Sequence, residues 1–169
     1  MALFALWCFV LIAGALPGLW PDVLAIAAHP PDPWILLVAY LAFRGRGFKA
    51  VGWGIVMGLV RDALSLDPLG THAFVLGTTA FFFCEGRRHR TPVDGPLRLF
   101  GTFGFALTAG WLYLLRILPL GGGGVMASDV FGVVPMAFWT ALVGAGLFPI
   151  LDHFRVFDDL MGRPRGLPA

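Results

Sequence analysis

The sequence predicts an all-α integral membrane protein: six transmembrane helices in one compact bundle, with both termini on the cytoplasmic side. Of its 169 residues, 58% are hydrophobic and only 13% are charged, whereas about a quarter of the residues of a soluble domain are charged. The mean hydropathy is +0.82. The charges lie in clusters between apolar runs of membrane-spanning scale. We therefore expect a single transmembrane domain over residues 1–169.

Six hydrophobic segments divide the chain, and breaks rich in Pro and Gly separate them. The first segment lacks the positively charged start of a signal peptide, so we interpret it as a retained transmembrane helix. The predicted helices cover approximately residues 2–19, 33–43, 47–66, 69–85, 97–118 and 130–151.

The second predicted helix, 33–43, is too short to cross a membrane by itself. A helix rises about 1.5 Å per residue and the hydrocarbon core is about 30 Å thick. We therefore expect residues 20–28 to lie at the interface or to re-enter the membrane, so that this helix has a broken or tilted start. In the tail, 152–162, apolar residues recur at helical intervals between charges. This pattern indicates a short interfacial amphipathic helix or, alternatively, the frayed end of the last span.

The distribution of positive charge predicts the orientation. In a six-span arrangement one side of the membrane holds only Arg61 and Arg116. The other side holds ten of the twelve basic residues: Arg44, Arg46, Lys49, Arg87, Arg88, Arg90, Arg98, Arg155, Arg163 and Arg165. Because cytoplasmic loops carry an excess of Lys and Arg, both termini are expected in the cytoplasm.

Small residues recur at helical spacing in three of the segments, which indicates faces where helix backbones approach closely in lipid. Segments 47–66 and 69–85 are joined by a tight Asp-Pro-Leu-Gly turn, so we expect their small residues to form the seam of a helical hairpin. The predicted packing residues are Gly54, Gly58, Gly77, Ala80, Ala141 and Gly144.

The stretch GLVRDALSLDPLGTH, residues 58–72, places charged groups at the far end of this hairpin. By helix length, Arg61 and Asp62 fall within the outer leaflet, where an unpaired charge costs about 2–3 kcal/mol. Adjacent residues do not face each other on a helix. We therefore predict that Asp62 contacts Arg116, directly or through one water, and that His72 or Asp67 lies near Arg61. The alternative is that Arg61 extends to the headgroups and Asp62 caps a helix end.

The sequence contains no convincing catalytic or metal-binding pattern. His29, His72, His89 and His153 lack metal-ligand spacing, and Cys8 and Cys84 lie inside apolar runs. We expect no catalytic residue, no metal and no cofactor. The basic loop RRHR at 87–90 is interpreted as a topology determinant and lipid contact, not as a nucleic-acid site.

Residues 31–90 resemble one family, MreD, the rod shape-determining membrane proteins of bacteria. The resemblance lies in the Pro-Asp before an apolar span, in a Gly-rich span ending GLVRDALS, and in the turn PLGTHAF before a span that closes on a basic loop. By position, Asp62, Pro68 and Gly70 carry the family motif, and His72 lies where the family is more variable. The resemblance implies a fold similar to the S-components of energy-coupling-factor vitamin transporters.

The resemblance also implies a non-enzymatic subunit of the cell-elongation complex in the bacterial inner membrane. Its direct partner would be MreC; RodA, a penicillin-binding transpeptidase and the MreB cytoskeleton would belong to the same assembly or be linked indirectly. Membrane lipids would surround it, with no role for nucleic acid. The alternative is a small-molecule-binding or vitamin-binding subunit of a transporter. Neighbouring genes would distinguish the two, since an MreC-like gene favours the scaffold and a pair of ATPase genes favours the transporter.

Overall fold

The computed structural model describes residues 30–44, 48–65, 67–87, 95–118 and 127–154. The first predicted helix, 2–19, the segment 20–28 and the tail beyond residue 154 lie outside the described residues. The described helices are α1 (Pro33–Arg44), α2 (Phe48–Leu64), α3 (Thr71–Arg87), α4 (Gly95–Ile117) and α5 (Ala127–Phe154). Within these ranges every regular element is a helix, so the predicted all-α class is confirmed there.

Helix α1 forms the centre of the fold. Each residue from Trp34 to Phe43 is buried, and α1 contacts all four other described helices. A helix that is apolar all round is buried either inside a protein core or in the lipid of a membrane, and the burial of α1 by other helices shows that it is the first of these. The short apolar run that the sequence shows at this position is therefore an enclosed core helix.

Helix α1 is shorter than each of the other four described helices. Its 12 residues span about 18 Å. At its start the Asp32 N–H donates to Thr140 Oγ1, and at its end Arg44 binds Asp152, with both partners on α5. Because Thr140 lies in the middle of α5 and Asp152 near its end, α1 runs beside only one half of that helix. The N-terminus of α1 consequently lies beside the middle of α5, and it also contacts Arg61 in the last turn of α2.

Helices α2 and α3 form a close antiparallel hairpin. A Cβ at Gly54 would lie 2.9 Å from the carbonyl oxygen of Leu76, and a Cβ at Gly58 would overlap the backbone of Ala73. From the other side, a Cβ at Gly77 would lie 2.7 Å from Ile55 Cγ1. Ala80 is fully buried and faces Gly54. The missing side chains let the two backbones approach, which is the main source of helix association in lipid.

Helices α4 and α5 form the second close pair. At Gly144 on α5 a Cβ would lie 3.3 Å from Thr102 Cγ2 of α4. On α4, a Cβ at Gly110 would lie 2.5 Å from Val133 Cγ1. Ala141 is buried on the same helix as Gly144. The described fold is therefore two helical hairpins packed around α1.

Within the described residues, two segments are long and apolar enough to cross a membrane: Gly95–Ile117, and Asp129–Asp152 within α5. Helix α1 is apolar but shorter. Helices α2 and α3 have 17 residues each, which is about 26 Å of helix, slightly less than the thickness of a hydrocarbon core.

Candidate functional site

A buried carboxylate at the end of α2 caps the start of α3. Asp62 Oδ2 accepts hydrogen bonds from the N–H groups of Gly70 and Ala73 at 2.9 and 3.2 Å, and Oδ1 accepts one from His72 N–H at 2.9 Å. The first N–H groups of a helix have no partner within the helix itself. A capping carboxylate usually precedes the helix directly, but here it is supplied by the preceding helix. We call this arrangement the Asp62 cap.

The His72 side chain extends the Asp62 cap to α4. Its Nδ1 lies 2.8 Å from Asp62 Oδ1. Because that carboxylate already accepts three N–H groups, Nδ1 is assigned as the donor. The imidazole stacks on the Tyr113 ring with 5.2 Å between centroids. The Tyr113 hydroxyl donates to Asp67 Oδ1 at 3.3 Å, so α2, α3, α4 and the turn between α2 and α3 are connected.

The turn that presents these N–H groups depends on Pro68 and Gly70. Thr71 N–H donates to the Pro68 carbonyl at 3.1 Å, and Gly70 has a φ of +93°. A positive φ at the third position of such a turn favours glycine because glycine has no Cβ. The three residues that are predicted to carry the family motif, Asp62, Pro68 and Gly70, therefore lie together: Pro68 and Gly70 shape the turn and Asp62 binds it.

Arg61, the neighbour of Asp62, contacts the N-terminus of α1. Its Nη1 donates to Asp32 Oδ2 at 2.5 Å, and both side chains are largely buried. Asp32 Oδ1 accepts hydrogen bonds from the N–H groups of Trp34 and Ile35, and Pro33 occupies the first helical position, where a missing N–H costs nothing. Asp32 therefore caps α1 and fixes α1 to α2.

The opposite end of the bundle contains a second ionic cluster, on Asp152 of α5. Its Oδ1 accepts hydrogen bonds from Arg44 Nη2 at 2.6 Å and from the Tyr40 hydroxyl at 3.1 Å, and its Oδ2 accepts one from Arg98 Nη1 at 2.6 Å. The Arg44 guanidinium also lies over the Tyr40 ring. One carboxylate thus joins α1, α4 and α5.

The family model described as rod shape-determining protein MreD matches residues 1–89. The chain belongs to the MreD family. The matched part includes α1, α2, the Asp62 cap and α3 up to Arg87, so the family signal and the most closely packed hairpin coincide. No curated protein and no solved structure matches the chain. The resemblance to MreD in residues 31–90 is thereby confirmed.

The described residues of this MreD-family chain show no direct contact between Asp62 and Arg116, so that part of the prediction is wrong. Asp62 instead binds the start of α3 and the His72 ring, and Arg61 binds Asp32. The physical reason is proximity, since the tight turn brings backbone donors directly to Asp62. The alternative, in which Asp62 caps a helix end, describes the observed geometry. His72 lies on Asp62, and Asp67 lies near His72 Nε2, at 3.7 Å, and Tyr113.

Sequence reasoning did not predict the contacts of three residues: Asp32, Tyr113 and Asp152. For Asp32 a signal existed, because Asp-Pro directly before an apolar run is a typical helix start. Asp152 lies at the start of the predicted tail, 152–162, and Tyr113 lies in an apolar run, so neither residue has a local sequence pattern that indicates its partner. The hydrogen-bond partners of Tyr113 and Asp152 are 46 to 112 positions away in the sequence.

Chemically, this arrangement fixes helices to one another. Each oxygen of Asp62 accepts two hydrogen bonds and both oxygens of Asp152 bind guanidinium groups, so these carboxylates are occupied by structural partners. Within the described ranges, no group of three His, Cys, Asp or Glu side chains is placed to hold a metal ion. Asp67 is the remaining carboxylate of the site, and its Oδ1 accepts a hydrogen bond from the Tyr113 hydroxyl. Among the described residues, no donor lies within hydrogen-bond distance of its Oδ2.

Proposed function

We propose that this chain is a non-enzymatic membrane subunit of the bacterial cell-elongation complex, which scaffolds MreC and peptidoglycan synthases and so maintains cell shape. The match to the rod shape-determining family over residues 1–89 carries this proposal. RodA and a penicillin-binding transpeptidase would belong to the same assembly, and the link to MreB would be indirect. These partners follow from the resemblance to the family.

The use of the buried polar groups supports a scaffold in preference to an enzyme. A general base or a nucleophile needs a free lone pair directed toward a substrate. Asp62 and Asp152 instead use both carboxylate oxygens to join helices. Such fully bonded networks make a helix bundle rigid, and a rigid bundle presents a constant surface to its partners.

The charge distribution supports a multi-pass arrangement in the cytoplasmic membrane with six spans and cytoplasmic termini. The two ends of the described bundle differ in the charge of their side chains. The Asp62 end has two basic and four acidic side chains: Arg61, Arg116, Asp32, Asp62, Asp67 and Asp129. The Asp152 end has three basic and two acidic side chains among the residues whose side chains are described: Arg44, Lys49, Arg98, Glu85 and Asp152. The positive-inside rule then puts the Asp152 end in the cytoplasm.

The experiment that tests the proposal is co-purification of the full chain, in mild detergent, with the MreC-like protein of the same bacterium. We expect the two to elute together, and we expect depletion of this chain to turn rod-shaped cells into spheres. Rods that persist after depletion, or recovery with an ATPase pair in place of MreC, would contradict the scaffold and favour the transporter subunit.

A further inference from the structure

The turn between α2 and α3 exposes apolar side chains at the end of the bundle. We define the hairpin tip as residues 64, 65 and 67–70. Leu64 and Leu69 are 67% and 77% exposed, and Pro68 between them is also exposed. Two exposed leucines beside Asp67, whose side chain is one-third exposed, form a mixed apolar and acidic surface.

Of the four carboxylates Asp32, Asp62, Asp67 and Asp152, Asp67 accepts the fewest hydrogen bonds. Asp62 accepts four hydrogen bonds, and Asp32 and Asp152 each bind at least one guanidinium. Asp67 accepts one hydrogen bond, from a neutral hydroxyl at 3.3 Å. Its other oxygen lies 3.7 Å from His72 Nε2, which is beyond hydrogen-bond distance. A carboxylate with this environment retains capacity for a cation.

The hairpin tip is held rigidly although it lies on the surface. The Asp62 cap binds its end at Gly70, and Asp67 N–H donates to Ser65 Oγ at 3.4 Å. Pro68 and Gly70 fix the turn itself. A surface that is already ordered loses little conformational entropy when a partner binds. The turn that carries Leu69 is therefore held by hydrogen bonds before a partner binds, which suits recognition.

We infer that the hairpin tip is a docking surface for a partner protein whose transmembrane helix ends, on this side of the membrane, in an Arg or Lys next to apolar residues. The apolar end of that helix would cover Leu64 and Leu69, and the cation would pair with Asp67. Charge complementarity favours this occupant, because the one charged side chain among the described residues of the hairpin tip is a carboxylate, Asp67. The inference rests on the proposed function and assigns a surface to it.

Lipid headgroups are the competing occupant of the hairpin tip. Anionic headgroups attract Lys and Arg near a membrane surface and repel a carboxylate for the same electrostatic reason. The hairpin tip has its leucines next to Asp67 and no basic side chain of its own. The observed charge therefore favours a basic protein segment over a lipid surface.

The test uses the full chain co-expressed with the MreC-like protein of the same bacterium. A photo-crosslinking amino acid replaces Leu69 on the hairpin tip or, as a matched control, Leu118 at the same end of α4, which is 57% exposed. We expect Leu69 to crosslink to the partner's membrane-proximal segment several times more efficiently than Leu118. A product with phospholipid alone, or equal crosslinking at both positions, would overturn the docking surface.

Charge reversal provides an independent readout. We expect Asp67→Lys to lower recovery of the partner about three- to tenfold, and a Lys-to-Glu or Arg-to-Glu change in the crosslinked partner segment to restore it. Asp129→Lys at the start of α5 makes the same net change of charge at another position of this end and should leave recovery unchanged. Elution as a single monodisperse species shows that each variant is folded.

The outcomes separate the two proposals. If the unchanged chain recovers no MreC-like partner, the proposed function fails and the docking surface fails with it. If the partner is recovered equally by the unchanged chain and by Asp67→Lys, the scaffold remains and the docking surface is wrong.

Discussion

The carboxylates of Asp62 and Asp67 lie in the same short stretch of sequence but in opposite environments. Asp62 is buried and accepts four hydrogen bonds, whereas Asp67 is one-third exposed and accepts one. A buried donor that loses its acceptor costs free energy because water cannot replace it. Two residues of the same chemical type should therefore respond very differently to substitution.

Removing the Asp62 carboxylate should destabilise the protein strongly. Asp62→Ala leaves three N–H groups and His72 Nδ1 without an acceptor, so we expect a loss of about 3–5 kcal/mol in the free energy of unfolding. Asp62→Asn retains one acceptor oxygen and should fall between Ala and the unchanged chain. The matched control, Asp67→Asn, should lose less than about 1 kcal/mol. Unfolding in detergent, followed by Trp fluorescence, measures all three, and equal stabilities would show that the Asp62 cap is energetically unimportant.

The pair of Arg61 and Asp32 should show measurable coupling. Asp32→Asn can still cap α1 but leaves Arg61 without its carboxylate, and Arg61→Gln leaves Asp32 without its guanidinium. For two largely buried groups in contact, a double-mutant cycle on unfolding in detergent should give an interaction energy of about 1–2 kcal/mol. Additive effects of the two substitutions would mean that the ion pair contributes nothing.

At the scale of elements, the α2–α3 hairpin depends on the absence of side chains. Gly58 lies against the backbone of Ala73, while Gly52, on the same helix, has no atom within 4 Å of the position of a Cβ. Helix propensity alone would favour Ala at both positions. At Gly58 the close packing of the hairpin reverses this preference and favours Gly over Ala.

A pair of Gly-to-Ala substitutions in α2 tests this difference. Gly58→Ala forces the hairpin apart against the backbone of α3, so we expect a loss of about 2 kcal/mol or more, as in an overpacked core. Gly52→Ala should be neutral or stabilising by up to about 1 kcal/mol. Thermal unfolding of both purified variants gives the comparison, and a Gly58→Ala variant as stable as Gly52→Ala would contradict the close backbone contact.

At the scale of the whole molecule, Asp152 joins helices that are far apart in the sequence. Its partners are on α1 and α4, and Asp152 itself lies near the end of α5. The bundle is thus fixed at both ends, by the Asp62 cap at one and by Asp152 at the other. Loss of either should loosen one end before it unfolds the whole.

In Asp152→Ala, Arg44 and Arg98 lose the carboxylate that they share, and two guanidinium groups are left close together. We expect faster hydrogen exchange at the end of α1 and the start of α4, and a loss of about 2–4 kcal/mol in the free energy of unfolding. Exchange at the start of α3, which the Asp62 cap holds, should stay unchanged. Uniform acceleration across all helices would show instead that the bundle opens as one unit.

Orientation can be measured with single cysteines in a chain lacking Cys8 and Cys84. A cysteine at Leu69 should react with a membrane-impermeant maleimide on intact spheroplasts, and a cysteine at the exposed Phe48 should react only after permeabilisation. The reverse pattern would contradict the proposed arrangement of the membrane and place the hairpin tip in the cytoplasm.

The sequence by itself determined the class of the protein, the positions of the described helices and the family. Apolar length, Pro and Gly breaks and small-residue spacing are local signals, so the predicted 33–43 and 47–66 correspond to Pro33–Arg44 and Phe48–Leu64. The sequence also singles out Asp62, Pro68 and Gly70 as predicted motif residues, and the structure brings these three together at the turn.

Only the tertiary structure decided which charged groups meet. Local pattern suggested Arg116 for Asp62, whereas the fold supplies the backbone of α3, and it joins Arg61 to Asp32 and Asp152 to Arg44 and Arg98. Ion pairs depend on the depth and rotation of helices, which are set by the packing of distant segments. Helix α1 illustrates the same point: its composition indicates an apolar helix, but its enclosure follows from the four helices around it.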